Sequence, residues 1–507
     1  MISRSKRRFI VFSERVKKLQ HKVPTEALRR KLERLSSGAP PRVLDLFSGC
    51  GGISLGFHAE GFRIDAAVEI DKTAAATHAL NFHGGDERHS KSRDLTQIEP
   101  SQLTEELGLG AAEDAFDVVV GGPPCQAYAR VGRAKLRDVA AHPEAFKVDP
   151  RGNLYLRYLH FVEKTRPLAV LVENVPDALN YGGHNVIGEI AEALDELGYD
   201  ARYSLINTAF HGVPQMRDRV FLLALHRCLD NQVQFPAATR HFVLPQGYAG
   251  TRAVALKNVD SLFRGAYAEA DHGDGSLPLP VTALEAIGDL PRITLHLEGK
   301  LKRGARYLDR PIPYPGTQAV SEYALQMRTW RDFEAPTEGL VDHVIRYLPR
   351  DTEIFRQMPN GGEYPAAHAT ALRLFEAALE EMKASGEKLS EAEEVKLRRA
   401  MVPPYPVHNF PNRWWKLRAD APSRTLLAHI GKDTYSHIHY DGSQARVISV
   451  REAARLQSFP DGFRFCGAMN AAYRQIGNAV PPLMAKRLAA QIRQALQLPR
   501  RALAAAE

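Results

Sequence analysis

The sequence predicts a doubly wound, mostly parallel α/β sheet joined to a second, irregular domain. Three observations carry that expectation. Short apolar runs alternate with helical stretches from Arg42 to about residue 226, the pattern of strands in a parallel sheet covered on both faces. Several of these runs end in glycine or acid where a parallel strand would leave the sheet, the edge at which such folds bind ligands. Between 227 and 420 the alternation stops, Pro and Gly recur and short mixed segments dominate; regular structure returns at about 421. The expected organisation is a basic arm at 1–40, one discontinuous domain at 41–226 and 421–499, and a separate domain at 227–420.

In chain order, residues 1–40 read as an appended arm, either a solvated tail with one docked helix or, no more favoured, a DNA-binding arm. Thr25 can cap a short helix with Leu28, Leu32 and Leu35 on one face, ended by Ser36-Ser37-Gly38-Ala39-Pro40-Pro41. Val43 to Phe47 is the first strand and runs into a glycine-rich turn; residues 64–71 (IDAAVEID) are the second. Asp117 to Gly122 is the third, Leu168 to Val175 the fourth and Arg219 to Leu225 another, with helices at 154–165 and 185–198. In the irregular segment a long helical region spans about 369–400; Leu372, Phe375, Leu379 and Met382 share a face, and Ser390 with Glu393 makes a capping box for a second helix. Ser449 to Ser458 and Val480 to Leu496 read as helices, the latter entered through Pro481-Pro482.

Composition narrows the function classes. The chain of 507 residues carries 67 Lys+Arg against 59 Asp+Glu, a net +8, yet twelve basic and three acidic residues fall in 1–40, so the other 467 sum to −1. The basic excess invites a nucleic-acid reading, but it sits in one short arm. No apolar run approaches the ~18 residues of a membrane helix, and Phe9-Ile10-Val11-Phe12 is too short for a secretory segment. Cys50, Cys125, Cys228 and Cys466 lie far apart with no CxxC, which speaks against a disulfide framework or zinc site and suits a reducing cytoplasm. No metal site is expected.

Four motifs carry chemistry. Asp45-Leu46-Phe47-Ser48-Gly49-Cys50-Gly51-Gly52 leads from a strand into a helix N-terminus, where glycines admit a ligand to free N–H groups. Glu69 closes the next strand 24 residues later; an acid there can take two ribose hydroxyls. Without a Lys-Ser/Thr end the turn is not a triphosphate loop, and Asp45 beside it suits a cofactor with a cationic amino-acid group. Gly121-Gly122-Pro123-Pro124-Cys125-Gln126 sets a cysteine on a rigid turn at a strand end, where a thiolate can add to an electron-poor ring carbon. A single cysteine is more often a small buried hydrophobe. Glu173-Asn174-Val175-Pro176 puts a carboxyl group on the same edge, able to give a proton to a heterocycle or bond to it; the plain alternative is a cap or surface acid. In Pro214-Gln215-Met216-Arg217-Asp218-Arg219 the alternating arginines face one side of an extended segment and can hold a carbonyl, carboxylate or phosphate. A solvated stripe is the bland alternative. Basic clusters at Lys300 through Arg310 and at Arg413, Lys416 and Arg418 read first as solvated faces and only second as phosphate contacts.

The ordered set DLFSGCGG, VEID, GGPPCQ, LVENV, VPQMRDRVF, VREAARLQSFPD (450–461) and QIGNAVPP (475–482) resembles the cytosine-C5 DNA methyltransferase family over about 42–226 and 421–497. The resemblance implies a Rossmann-like methyltransferase sheet, with 227–420 where the family places its target-recognition domain. By position it implies that Asp45, Phe47, Gly49, Cys50, Gly52, Glu69, Ile70, Asp94, Leu95, Gly122, Pro124 and Leu154 line an S-adenosylmethionine pocket, completed by Asn478 and Ala479. Cys125 matches the nucleophile, Glu173 the carboxyl group on cytosine N3, and Arg219, with Arg217 beside it, the arginine that orients the base. Ala129 departs from the family's usual serine after PPCQAY, which touches a local loop contact rather than the reaction.

The implied reaction is methylation of C5 of a flipped-out cytosine in a specific duplex DNA sequence, by a DNA (cytosine-5-)-methyltransferase. The implied partners are duplex DNA and, in a restriction–modification setting, a restriction endonuclease acting on the same site; no membrane is involved, and a monomer in the cytoplasm, associated with the nucleoid, is expected. A tRNA cytosine-C5 methyltransferase is the alternative, less suited to the large 227–420 insert. A catalytically dead DNA-binding regulator should have lost Cys125 or the cofactor turn, and both are present. Since the basic arm lies outside every motif, its removal (residues 1–38) is expected to weaken DNA affinity while sparing site choice.

Overall fold

The structure is a computed structural model that describes residues 23–124, 154–259, 265–300, 310–316, 319–409, 413–430 and 435–497. It divides into two compact units. The first holds the chain up to Gly212, Arg217–Leu279 and the segment from Val480; the second holds Val213–Met216 and Pro280–Ala479. The expected 227–420 segment is thus shared between them, with residues up to 279 folded into the first unit.

The first unit is built on six strands: β1 (Arg42–Leu46), β2 (Arg63–Val68), β3 (Val118–Gly121), β4 (Ala169–Asn174), β5 (Tyr199–Asn207) and β6 (Asp218–His226), in the order β2-β1-β3-β4-β6-β5. The first four are mutually parallel, and β6 is antiparallel to both its neighbours. Val118, Val119 and Val120 have no exposed surface, as expected of a β-branched run buried on both faces. Helices α1 (Glu26–Ser36), α2 (Gly52–Ala59), α3 (Lys72–Phe82), α4 (Leu154–Thr165), α5 (Val186–Glu196) and α6 (Pro482–Gln497) belong to the same unit. α6 returns from the end of the chain onto α2, and Gly56 permits the contact: a Cβ there would stand 2.4 Å from the Lys486 backbone nitrogen.

Two features of this sheet differ from the sequence expectation. β5 was not foreseen: Asp200, Ala201 and Arg202 are only partly buried on this edge strand, so its first half lacks a continuous apolar run. The direction of β6 was also open. Because it is antiparallel, its beginning rather than its end lies at the edge where β1 to β4 terminate; Glu173 pairs with Phe221 and Asn174 with Val220.

Residues 26–36 form a docked helix, as the first of the two readings of the arm expects. Thr25 stands at the N-cap of α1, though its side chain makes no capping hydrogen bond. Leu28 and Leu32 are buried while Leu35 is only partly so. Lys31, 2% exposed, donates to the carbonyls of Thr165 and Arg166 at the end of α4 (2.7 and 2.8 Å), a cation at a helix C-terminus. Burial brings its amine down to about 7. Arg30 makes a two-pronged bond to Asp114 (3.0 and 2.9 Å), and Arg34 pairs with the fully buried Asp117. Deleting residues 1–38 should therefore destabilise the first unit. Losing the burial of Leu28 and Leu32 alone costs about 3 kcal/mol or more, and a thermal melt of the truncated chain would measure it. An unchanged melting temperature with weakened DNA binding would restore the simpler picture of an accessory arm.

The second unit has short helices, a two-strand parallel pair (Gln215–Met216 with Ser423–Arg424), and a core of Ile354, Phe355, Met358, Tyr364, Phe375, Trp414, Tyr435 and Ile438 among others. The expected helical region is two helices, Tyr364–Ala384 and Glu391–Met401, and the Ser390–Glu393 capping box is formed. Phe375 is buried, but Leu372, Leu379 and Met382 are only partly so.

The basic cluster at 413–418 is divided between a buried structural cation and an exposed ion pair. Lys416 is buried and donates to the carbonyls of Phe355 and Met358 (2.8 and 3.0 Å), and Arg418 pairs with Asp420 (2.7 Å). Of the cluster at 300–310, Lys300 pairs with Glu298 (2.7 Å), and 301–309 lie outside the described residues.

Candidate active site

The parallel strands and the reversed β6 bring several of the expected residues to one edge of the first unit. β1 ends at Leu46, and the turn that follows is held in unusual backbone conformations: Phe47 (φ 58°), Gly49 (φ 54°) and Gly51 (φ 102°) all have positive φ. Glycine adopts this region freely; Phe47 does so at a cost the surroundings must offset. Gly51 caps α2, which starts at Gly52. Cys50 is 1% exposed, and burial pushes its thiol well above the ordinary range, so it is packing, not a nucleophile.

Glu69 follows β2 and joins the two ends of this pocket. Its Oε2 accepts from the Gly49 amide (2.9 Å) and its Oε1 from the Asp71 amide (2.7 Å). Each carboxylate oxygen keeps a second lone pair. Burial raises the carboxyl group above its usual range. Ile70, next in the chain, leaves 66% of its surface exposed, an apolar shelf beside the acid. The loop after it is tied back by the Arg93 amide to the Glu69 carbonyl (2.7 Å). Asp94 Oδ1 accepts from the amide and hydroxyl of Thr96 (both 2.8 Å). Leu95 is buried, and its carbonyl accepts from Arg157 of α4 (3.1 Å); Leu154, half-buried, opens that helix.

β3 ends at Gly121 and leads into the Gly122-Pro123-Pro124 turn. A Cβ on Gly122 would stand 2.9 Å from Glu173 Oε2, so only glycine lets the turn come this close to the acid. Asn174 Nδ2 donates to the Pro123 carbonyl (2.9 Å), fixing the turn against the end of β4. Pro124 is exposed. Cys125 is the next residue and lies outside the described residues.

Glu173 Oε1 is 2.9 Å from Arg219 Nε, and both side chains are 13% exposed. Arg219 Nη1 also donates to the Asp218 carbonyl (2.7 Å). Arg217 is 1% exposed; burial and the charge of Arg219 work against its cation while Glu173 supports it. The structure thus brings Glu173, Arg217 and Arg219 together.

It also adds a residue that the sequence did not point to. Arg252, on the helix Gln246–Leu256, donates to Asp218 Oδ1 (2.8 Å) and to the Leu205 carbonyl (3.1 Å), and Asn207 Nδ2 meets the same Asp218 oxygen (3.0 Å). The start of β6 is clamped in this way. No motif surrounds Arg252.

Asn478 and Ala479 belong to the second unit, at the end of the helix Met469–Asn478; Asn478 is exposed, and the Ala479 carbonyl accepts from Gln457 Nε2. Among the described residues, no group of three or more His, Cys, Asp or Glu side chains could hold a metal ion, and no helix is long and apolar enough to cross a membrane.

Such a sheet, with a glycine turn after β1 and an acid after β2, defines a mainly parallel, doubly wound α/β protein. The family model for C-5 cytosine-specific DNA methylases matches residues 41–274 and 364–494, and the chain belongs to that family. A protein of Oceanobacillus iheyensis, named as a type II methyltransferase, is 36% identical over 462 residues, covering 90% of this chain and 96% of its own. The type II methyltransferase M.AgeI of Thalassovita gelatinovora is 31% identical over 479 residues, covering 90% and 100%. A crystal structure titled as a DNA modification methyltransferase encoded within an E. coli prophage aligns over 90% of this chain and 99% of its own, with a TM-score of 0.54 and 20% identity; this likeness is one of fold.

The residues present fit S-adenosylmethionine. Glu69 can receive a ribose diol, Ile70 offers an apolar face to a base, and a Cβ on Gly49 would meet nothing within 4 Å. Asp45 supplies a buried acid whose Oδ1 has no hydrogen-bond partner among the described residues, suited to a nearby positive charge.

Proposed function

We propose that this chain transfers a methyl group to C5 of cytosine in a specific duplex DNA sequence, with S-adenosylmethionine as cofactor. The observation that carries the reading is the Glu173–Arg219 pair, set against Gly122 in the turn that runs directly into Cys125. When bound, the cofactor supplies an electrophilic methyl group.

Cytosine C5 is a poor nucleophile. Addition of the Cys125 thiolate to C6 breaks the 5,6 double bond and makes C5 electron-rich. Glu173 bonds to the protonated N3 and lets the ring take up this charge; Arg219, held by Glu173 and the Asp218 carbonyl, faces the O2 side with Arg217 behind it. After methylation, transfer of the C5 proton to a solvent water restores the double bond as the C6–S bond breaks and the Cys125 thiolate leaves. The base must leave the duplex for this, at roughly a few kcal/mol of unstacking. The part of the 227–420 segment that folds into the second unit, from Pro280, serves as target-recognition domain in this reading. The type II names of the relatives favour a restriction endonuclease acting on the same site.

Methyl transfer to duplex DNA and to tRNA, measured side by side, tests the reading. Incorporation into DNA, with bisulfite sequencing giving one recognition site, is expected; transfer to tRNA alone would overturn it. Glu173→Gln keeps the size of the side chain but cannot ionise. It should lower turnover by about 10²- to 10³-fold while cofactor binding is kept. Unchanged turnover would remove Glu173 from the mechanism.

A further inference from the structure

One buried polar chain in the first unit is used by none of the contacts described so far. Asp45 of β1 has no exposed surface, and its Oδ2 accepts from Ser54 Oγ of α2 at 2.6 Å. Ser54 Oγ lies 3.0 Å from Nε2 of His78 on α3. Ser54 and His78 are 0% and 1% exposed. The two ends of the chain, Asp45 Oδ1 and His78 Nδ1, are buried without a hydrogen-bond partner among the described residues. His78 also supports the glycine turn directly. A Cβ on Gly51 would come 3.1 Å from its Cδ2 and 2.5 Å from the neighbouring Phe82 ring. One imidazole therefore reaches both sides of the strained Phe47–Gly51 turn: Gly51 by packing, and Asp45 through Ser54.

The protons on this chain are constrained by a simple count. Ser54 has one hydroxyl hydrogen. With Asp45 ionised, the carboxylate can only accept, so Ser54 donates to it and His78 donates from Nε2–H. With Asp45 protonated the chain can reverse: Asp45 donates to Ser54, Ser54 donates to Nε2, and the imidazole hydrogen sits on Nδ1, where it has no acceptor. A serine nucleophile is excluded, because Ser54 has no surface for a substrate to reach.

The surrounding charges are few. Burial and the nearby Glu69 push the Asp45 carboxyl up to about 7, opposed by Ser54. Cys50 of the turn and Tyr158 of α4 also feel its charge, and both stay protonated. Burial, then His83 and His89, holds His78 neutral; the rings of His83 and His89 stack at 3.6 Å. His58 of α2 faces the Phe82 ring (6.2 Å), and Arg493 of α6 bonds to the Glu60 carbonyl (2.8 Å).

We propose that His78 is a positioning residue for the cofactor turn: through Ser54 it holds the Asp45 carboxylate beneath the turn in the ionised form that a cationic cofactor favours. The proposal rests on the S-adenosylmethionine reading above. A cation near Asp45 stabilises its charged form, so binding releases a proton when Asp45 starts protonated, and affinity falls as pH drops.

Calorimetric titration of the full chain tests it. S-adenosylmethionine and S-adenosylhomocysteine share the amino-acid group, and only the first carries the sulfonium charge. For the wild type, affinity for S-adenosylmethionine should rise about tenfold from pH 6 to pH 8, and that for S-adenosylhomocysteine should rise less. His78→Leu should weaken S-adenosylmethionine about fivefold or more at pH 8 and erase the difference between the two pH profiles. His78→Gln, whose amide can still donate to Ser54, should restore it. If His78→Leu does not fold in a thermal melt, Ser54→Ala breaks the same chain and should give the same loss. Variants with wild-type profiles, or with both ligands weakened equally and the difference intact, would overturn the proposal and leave the cofactor reading standing. A wild type that binds neither ligand would overturn both.

Discussion

Cys125→Ser is expected to lower methyl transfer to duplex DNA by at least about three orders of magnitude. The serine hydroxyl stays protonated at neutral pH and is a far weaker nucleophile than a thiolate. Glu173 is already engaged by Arg219 at 2.9 Å, and its part in the scheme is to bond to cytosine N3. Cofactor and DNA binding should survive, because the change removes one sulfur and leaves the turn. Transfer of labelled methyl groups, with DNA affinity measured in parallel, reads both. Near wild-type transfer by Cys125→Ser would sink the covalent scheme, whatever became of Glu173.

Arg455→Met should be the most damaging change in the second unit, destabilising it by about 3–5 kcal/mol. Arg455 has no exposed surface. Its Nε and Nη2 bond to the two oxygens of Asp461 (both 2.6 Å), and Nη1 reaches Asp289 Oδ1 (3.2 Å) and the Ala286 carbonyl (3.0 Å). Methionine fills much of the volume but leaves the buried Asp461 carboxylate with the Tyr314 hydroxyl in place of a cation, while Asp289 keeps Arg328 (2.6 Å). The pH dependence has a definite sign. Despite its burial, the Asp461 carboxyl is held below its usual range, chiefly by Arg455. In the wild type its contribution is present above the unfolded-state value of about 4 and is lost as pH falls through the lower folded-state value. Without Arg455 burial dominates and raises the Asp461 carboxyl above its ordinary value, so the deficit of the variant should be largest near neutrality and shrink as acid protonates that group. Denaturation at pH 7.5 and pH 5 would show it; an equal deficit at both would mean that packing, not charge, is what Arg455 provides.

Much of the first unit was legible in the sequence, because its signals are local. An apolar run ending in glycine or acid announces both a strand and the turn that follows. β1, β3, β4, α4, α5 and the Gly122–Pro124 turn lie within a residue or two of their expected places, while β2 ends at Val68, three residues before the expected 71. β5 was not legible: an edge strand needs only one apolar face, and Asp200 and Arg202 interrupt the pattern. Nor could charge be read correctly by counting. Lys31, Lys416, Arg451 and Arg455 look in the sequence like solvated cations, yet each is buried and bonded to carbonyls or acids. The segment VREAARLQSFPD carries much of the buried ion-pair network of the second unit, through Arg451 with Asp342 and Arg455 with Asp461. In this chain the segment therefore serves packing first. Distant partners such as Arg252 for Asp218 leave no local trace at all.

By itself the sequence determined the residue types, their order and the turns that carry them: a glycine turn after one strand, an acid after the next, Cys125 on a proline turn, and Glu173 at a strand end. These follow from backbone preference and period, which act over a few residues. Only the tertiary structure decided that β6 runs backwards, so that Arg217 and Arg219 begin a strand beside Glu173, and that α1 is part of the body. It also decided that Asp45 looks inward to Ser54 and His78. Those outcomes depend on which buried polar groups find partners across the fold. An unpaired buried charge costs several kcal/mol, so such pairings govern the arrangement, and nothing in a single stretch of chain records them.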